Sequence, residues 1–154
     1  MPVYEYSYQN YNPEKQAKCY GRELRMSPKA AVEVCRAIKG KWVDEAIEYL
    51  ENVAALKQVV PYKRHVLKVG HKKGLHRCCT GAYPERVANI IKALLKDVTA
   101  NAEYKGLVKD NLRIIHACAY RGIKIRGYMP RAFGRASEHN TTTTNVELVV
   151  EERK

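Results

Sequence analysis

No apolar run in this 154-residue chain approaches the ~18 residues needed to cross a bilayer as a helix. The opening stretch, MPVYEYSYQNYNPEK, lacks the basic-then-apolar order of a secretory leader, so a cytoplasmic protein is expected. The usual short catalytic motifs are missing: no GxxxxGK[ST] phosphate loop, no GxSxG elbow, no HExxH pair. The five cysteines, Cys19, Cys35, Cys78, Cys79 and Cys118, include no CxxC pair. An odd count without that spacing reads as reduced thiols, several of them buried as small hydrophobes.

Carboxylates are scarce in two places. None occurs from Lys57 to Pro84, and from Gly106 to Ser137 there is only Asp110. Both stretches are rich in bases, and the formal net charge is +12. The acids gather elsewhere, notably at Asp44, Glu45, Glu48 and Glu51. A solvated surface normally mixes the two signs. Single-sign segments of this length are instead the electrostatic footprint of a polyanion partner.

The length suits one domain over residues 1–154. Three helices are predicted. Ser27-Pro28 pairs a good N-cap with proline at the first helical position, and the stripe Ala31, Val34, Cys35, Ile38 runs to Gly40. A second helix spans about Val43 to Leu56, with Val43, Ala46, Ile47, Leu50, Val53 and Ala54 on one face. Trp42, at its start, reads as a packing anchor. A third begins at Pro84-Glu85, carries Val87, Ile91, Leu94, Leu95, Val98 and Ala102, and ends at Gly106.

Three strands are predicted. Cys19 to Met26 is short and polar, an edge. Leu112 to Tyr120 continues through GIKIRGYM, and Asn140 to Glu151 alternates Val146, Leu148, Val150 against Glu147, Val149, Glu151. The last two can pair antiparallel, with bases in the sheet and distal ends projecting. The expected fold is α+β: three helices on a small three-stranded antiparallel sheet, with a long protruding β-hairpin. Residues 1–18 read as an extended, tyrosine-rich arm, 58–82 as a long basic loop, and 123–140 as the projecting hairpin.

The projecting hairpin has too few apolar residues to bury on its own, and a two-stranded ribbon alone in water is marginal. Its tip carries Arg126, Tyr128, Arg131, Phe133 and Arg135. Guanidinium groups for phosphates and flat rings for bases are the equipment of RNA recognition. The plainer alternative is an exposed turn with incidental arginines, which the second basic segment argues against. His71, His76, Cys78 and Cys79 fall close together, but adjacent cysteines suit tetrahedral coordination poorly, so no metal is expected. His116 and Cys118 alternate on one strand with Leu112, Ile114 and Tyr120, and are expected inside the core rather than in a catalytic pair. No enzyme and no cofactor is expected.

RMSPKAA (Arg25–Ala31), PRAFGRA (Pro130–Ala136) between two long strands, and VELVVEE (Val146–Glu152) together resemble the ribosomal large-subunit protein twenty-two family, numbered seventeen in eukaryotes. The insertion VPYKRHVLKVGHKKG (Val60–Gly74) and the helix start YPERVANIIKALLK look like archaeal and eukaryotic members. The resemblance implies binding to large-subunit rRNA, support of subunit assembly, and neighbouring ribosomal proteins as partners. It also implies a hairpin tip in the wall of the nascent-peptide exit tunnel. By motif match that tip is Ile125, Arg126, Gly127, Tyr128, Met129, Pro130, Arg131, Ala132, Phe133, Gly134 and Arg135.

The rRNA-binding residues expected in the arm are Arg121, Lys124, Arg126, Arg131 and Arg135. In the basic loop they are Lys63, Arg64, Lys68, Lys72, Lys73 and Arg77, and beside the first helix Arg22, Arg25 and Lys29. The rival readings are a free RNA- or DNA-binding regulator that does not sediment with ribosomes, and a thiol or metal hydrolase.

Overall fold

The computed structural model describes residues 6–75 and 78–153. Tyr4, within the tyrosine-rich arm, and His76 and Arg77, within the basic loop, lie outside the described residues. In chain order the elements are β1 (Gln16–Leu24), α1 (Pro28–Ile38), α2 (Val43–Ala54), β2 (Val60–Pro61), β3 (Gly81–Ala82) and α3 (Glu85–Tyr104). There follow β4 (Leu112–Ile125), β5 (Tyr128–Pro130), β6 (Ala136–Glu138) and β7 (Thr141–Glu152). The main sheet has the order β1-β7-β4, all antiparallel, so the C-terminal strand is central and β1 is indeed an edge. Two further ladders, β2-β3 and β5-β6, close the basic loop and the arm. The α+β fold with three helices and a long hairpin is as expected.

The helical stripes bury as their spacing requires. Ala31, Val34, Cys35 and Ile38 of α1, with Leu50 and Val53 of α2, join Ile91, Leu95 and Val98 of α3 in one core. The sheet's contribution to it is Ala17 of β1, Val146, Leu148 and Val150 of β7, and Leu112, Ile114, Ala117 and Ala119 of β4. Trp42 departs from expectation: it is 38% exposed and anchors nothing central, because it pairs by backbone with Arg113 at the sheet's border. The cysteines depart too. Only Cys35 is buried, while Cys79 is exposed and the other three are intermediate.

The parity of β4 changes at Ile115. Ile114 pairs with Val150 and His116 with Val149, so one extra residue bulges out of the ladder. Beyond it every side chain changes face. Leu112 and Ile114 point to the helices, but so do Ala117 and Ala119, while His116, Cys118 and Tyr120 turn to the opposite face. The expectation that His116 and Cys118 pack inside the helix-covered core is therefore corrected. Strict alternation from Leu112 places them inward; the bulge places them outward.

Residues 6–12 cross that outer face and give it a second layer. Glu147, only 3% exposed, is the centre. Its carboxylate accepts the Ser7 backbone N–H at 3.1 Å, the Ser7 hydroxyl at 2.7 Å and the Tyr120 hydroxyl at 3.0 Å, with His116 Nε2 at 3.5 Å. The Tyr120 hydroxyl also bonds Ser7 Oγ. Tyr8 packs on the His116 ring at 5.5 Å and Tyr6 edge-on to Tyr20 at 5.9 Å. The Lys18 ammonium lies over Tyr6 and Tyr11, at 4.5 and 4.7 Å from their centroids. Burial first, then the Cys19 and Glu147 charges, pushes the Tyr6 phenol up to about 12. The tyrosines at 6, 8 and 11 are a lid for the sheet.

Glu147→Ala removes the buried acceptor that holds this lid and takes away the partner of the Ser7 and Tyr120 donors. We expect a loss of about 2 kcal/mol, or roughly 4–8 °C in Tm, with faster chymotryptic cleavage at Tyr8 and Tyr11. Thermal denaturation indistinguishable from wild type would contradict this role for Glu147.

Candidate RNA interface

Three basic regions were expected, and the structure builds each differently. In the arm, β4 and β7 pair out to Ile125↔Thr141, with a second irregularity between Arg121 and Lys124. The chain crosses itself once more at Gly127, where the His139 N–H donates to the Gly127 carbonyl at 2.7 Å. A Cβ at Gly127 would stand 2.7 Å from the His139 carbonyl oxygen, so only glycine lets the strands approach there. Past that point Tyr128–Pro130 pairs with Ala136–Glu138.

At the apex Phe133 and Gly134 both have left-handed backbone, with φ of 59° and 67°. That conformation is disfavoured for an aromatic residue. The tip is pinned by the Arg131 N–H donating to the Arg135 carbonyl at 2.8 Å and by Arg131 Nε donating to Ser137 Oγ at 3.0 Å. The Phe133 ring is 99% exposed. Ile123, Ile125 and Tyr128 are also exposed.

Arg121, Lys124, Arg126, Arg131 and Arg135 are all exposed, and among the described residues none has a carboxylate within ion-pairing distance. The structure thus brings all five cations together on one ribbon, along with the exposed rings. The acidic face Asp44, Glu45, Glu48 and Glu51 belongs to α2, whose neighbours are α3 and β4; all four carboxylates are exposed. Glu51 pairs with Lys92 of α3 at 3.7 Å.

The basic loop is stitched at its root. Val60 and Tyr62 bury their side chains in the core. The Tyr62 N–H donates to the Thr80 carbonyl at 3.1 Å, and the Thr80 hydroxyl donates back to the Tyr62 carbonyl at 3.0 Å. Cys78 Sγ sits on the Tyr62 and Thr80 carbonyls at 3.4 and 3.3 Å, a structural use of that thiol. Lys63, Arg64, Lys68, Lys72 and Lys73 all face solvent, and Lys72 lies 5.6 Å over the Tyr83 ring. Arg77 lies outside the described residues.

A residue that sequence reasoning missed holds this loop in place. Glu33 of α1 is 0% exposed. Its carboxylate accepts the backbone N–H of Lys63 at 3.1 Å, of Arg64 at 2.8 Å and of His65 at 2.7 Å. Burial pushes the Glu33 carboxyl up, but the three N–H donors and the Arg36 charge outweigh it and hold it below its ordinary 4.5. The backbone of 63–65 is thereby fixed on α1, and the side chains of Lys63 and Arg64 are aimed outward. The available sequence signal was an acid directly beside the apolar stripe of an otherwise basic helix.

The cations beside α1 divide. Arg22 pairs with its neighbour Glu23 at 3.1 Å, whereas Arg25 and Lys29 are exposed without an acidic partner among the described residues. Sequence reasoning also passed over Arg86, exposed in the first turn of α3, which lines the same cleft as Arg25.

Glu33→Gln keeps the shape but removes the charge and one acceptor oxygen. It should cost about 2–3 kcal/mol and open the loop, seen as faster hydrogen exchange at the Lys63, Arg64 and His65 amides. A matching pH dependence follows. The folded carboxyl titrates below the unfolded one, so its stabilisation is complete above pH 4.5 and lost as pH falls through the folded value. Wild type should lose protection at these amides on acidification, while the Gln variant should be less protected and show no acid step. Wild-type protection in the variant would remove Glu33 from this role.

Relatives of the chain are found among ribosomal proteins. Residues 19–151 match the family model described as ribosomal protein L22p/L17e. The chain is 48% identical over 147 residues to the large ribosomal subunit protein uL22 of Methanosphaera stadtmanae, covering 96% of each. It is 47% identical over 153 residues to that of Archaeoglobus fulgidus, and 43% identical over 157 residues to that of Ignicoccus hospitalis, covering 99% of both chains each time. The chain belongs to the L22p/L17e family of ribosomal proteins, in its archaeal form.

Proposed function

We propose that the chain is a non-enzymatic, structural constituent of the large ribosomal subunit in the cytoplasm, binding large-subunit rRNA and supporting subunit assembly. The observation that carries this reading is the arm: five exposed cations and an exposed aromatic tip, without acidic partners among the described residues, in a chain of this family. RNA supplies what the arm lacks. Phosphates take up the charge of Arg121, Lys124, Arg126, Arg131 and Arg135 and position the protein without reading sequence. Bases and sugars cover Phe133 and Tyr128. The loop cations Lys63, Arg64, Lys68, Lys72 and Lys73, with Arg77, form a second phosphate contact, and Arg25 and Lys29 a third. Neighbouring ribosomal proteins are further partners.

The finer part of the proposal concerns the tip, Ile125 to Arg135, which lines the exit tunnel beside the nascent peptide. Its slimness supports this. The β5-β6 ladder is two strands wide and is joined only by a short 3-10 turn at Ala132–Gly134. Such a probe can be packed by RNA on several sides and still show one face to a passage. A free nucleic-acid-binding regulator is not favoured, because similarity to ribosomal proteins runs over nearly the whole chain.

Reversing Arg126, Arg131 and Arg135 together to Glu should lower affinity for large-subunit rRNA by at least ~100-fold at moderate salt and flatten its salt dependence. The Tm should stay within about 2 °C, since these side chains support no core. A large fall in Tm of the free protein would show that the arm is part of the core after all. In sucrose gradients the wild-type chain should stay with the large subunit through a high-salt wash. Its appearance at the top of the gradient would sink the integral-constituent reading.

A further inference from the structure

β7 opens with the run Thr141–Thr144, followed by Asn145. Three consecutive side chains of this stretch each reach the backbone of a neighbouring segment. Thr143 Oγ1 donates to the Ile123 carbonyl of β4 at 3.1 Å. Thr144 Oγ1 donates to the Met26 carbonyl, at the entry to α1, at 2.8 Å. Asn145 Oδ1 accepts the Glu23 N–H of β1 at 2.8 Å. Thr143 and Thr144 are both buried.

Both flanking strands bulge at this level. On one side Gly21 pairs with Val146 and Leu24 with Thr144; on the other Arg121 pairs with Thr144 and Lys124 with Thr142. Each outer strand therefore carries one residue more than β7 over the same step. A bulge bends its strand and leaves backbone groups without ladder partners. Here side chains of β7 take up the Ile123 carbonyl and the Glu23 N–H, and Glu23 has a left-handed φ of 51°. The fit is close. A Cβ on Gly122 would stand 2.4 Å from Thr143 Oγ1 and 3.2 Å from Asn145 Oδ1, so glycine lets β4 lie directly on these two side chains. At the same level β1 ends, and only β4 and β7 continue into the arm.

We propose that Thr143, Thr144 and Asn145, with Gly122, form a rigid elbow that fixes the direction in which the arm leaves the domain before any RNA is bound. They are positioning residues: none carries a charge, and they act on binding through the arm they aim. At ~3.3 Å per residue Phe133 stands roughly 35 Å beyond Arg121, and a turn of about 20° at the elbow moves it by about 12 Å. An arm already aimed gives up less freedom on binding than one that must find its direction. The strand preference of threonine is reason enough for Thr141 and Thr142. It does not explain hydroxyls at 143 and 144 that bond carbonyls of other segments. The consequence for RNA rests on the rRNA-binding reading; the direction of the arm does not.

Residual dipolar couplings of backbone amides, measured on the free full chain in a weakly aligning medium, report that direction. We expect wild-type couplings from the arm and from the three helices to fit one common alignment. Thr143→Val keeps the shape and removes the donor; it should leave the helix couplings unchanged and shrink those of the arm. Thr143→Ser keeps the hydroxyl and should restore them. Asn145→Ala, at a half-buried position, is a second variant and covers the case in which Thr143→Val fails to fold. Towards large-subunit rRNA from the source organism, either folded variant should bind about tenfold more weakly, with the salt dependence unchanged because no charge has moved. Wild-type arm couplings that share no alignment with the helices would overturn the elbow. So would wild-type arm couplings in a folded Thr143→Val or Asn145→Ala protein. Undiminished rRNA affinity in a variant whose arm has lost its alignment would overturn the link from direction to binding. Failure of the wild-type chain to bind the rRNA would remove the functional reading and leave the elbow to be decided by the couplings.

Discussion

The antiparallel pairing of β4 with β7 is the element on which everything else is hung. At its open end, where Leu112 faces Glu152, the ladder is the middle of the core: Ile114, Ala117 and Ala119 lie beside Val150, Leu148 and Val146, under the helices. At its other end the same two strands run past the last helix contact and become the arm. The arm is thus tied to the core through the backbone hydrogen bonds of this ladder rather than through side-chain burial. Two irregularities interrupt the ladder. The one at Ile115 swaps the faces of β4, and the one between Arg121 and Lys124 falls where the buried part gives way to the exposed part. Bulges bend and twist a strand locally, so the second is well placed to set the arm's direction.

Two carboxylates do a job that the overall charge would not suggest. In a chain of net charge +12, Glu33 and Glu147 are buried, and each accepts backbone N–H bonds from an irregular segment. Glu33 holds the basic loop on α1; Glu147 holds the N-terminal segment on the sheet. Ionised acceptors of this kind make stronger hydrogen bonds than neutral ones, and leaving them unpaired would be expensive. The outcome is a division by sign. Glu33 and Glu147 face inward, four further acids cluster on α2, and among the described residues no carboxylate ion-pairs with the bases of the loop and arm.

The tip shows how much such an arm asks of its backbone. Left-handed φ at Phe133 next to Gly134, a close crossing at Gly127, and a bare ring are all features that a core would not select. They make sense in a segment whose surroundings come from another molecule, where shape matters more than self-stability.

Much of this was legible in the residues. Helical spacing placed α1, α2 and α3 nearly to the residue, because a buried stripe at every third and fourth position has one solution. The alternation of Val146, Leu148 and Val150 located the central strand for the same reason, and the runs without acids located the loop and the arm. What could not be read was decided by contacts between residues distant in the chain. Period-two counting from Leu112 sends His116 and Cys118 inward; one bulged residue, set by how β4 meets β7, sends them outward. Glu33 looks like a surface acid until the backbone of 63–65 folds onto it, and Tyr6, Tyr8 and Tyr11 look like a loose tail until Glu147 lies beneath them. Periodicity is a property of neighbours along the chain and so belongs to the sequence. Which donor meets which acceptor across thirty or more residues is settled only when the chain closes on itself.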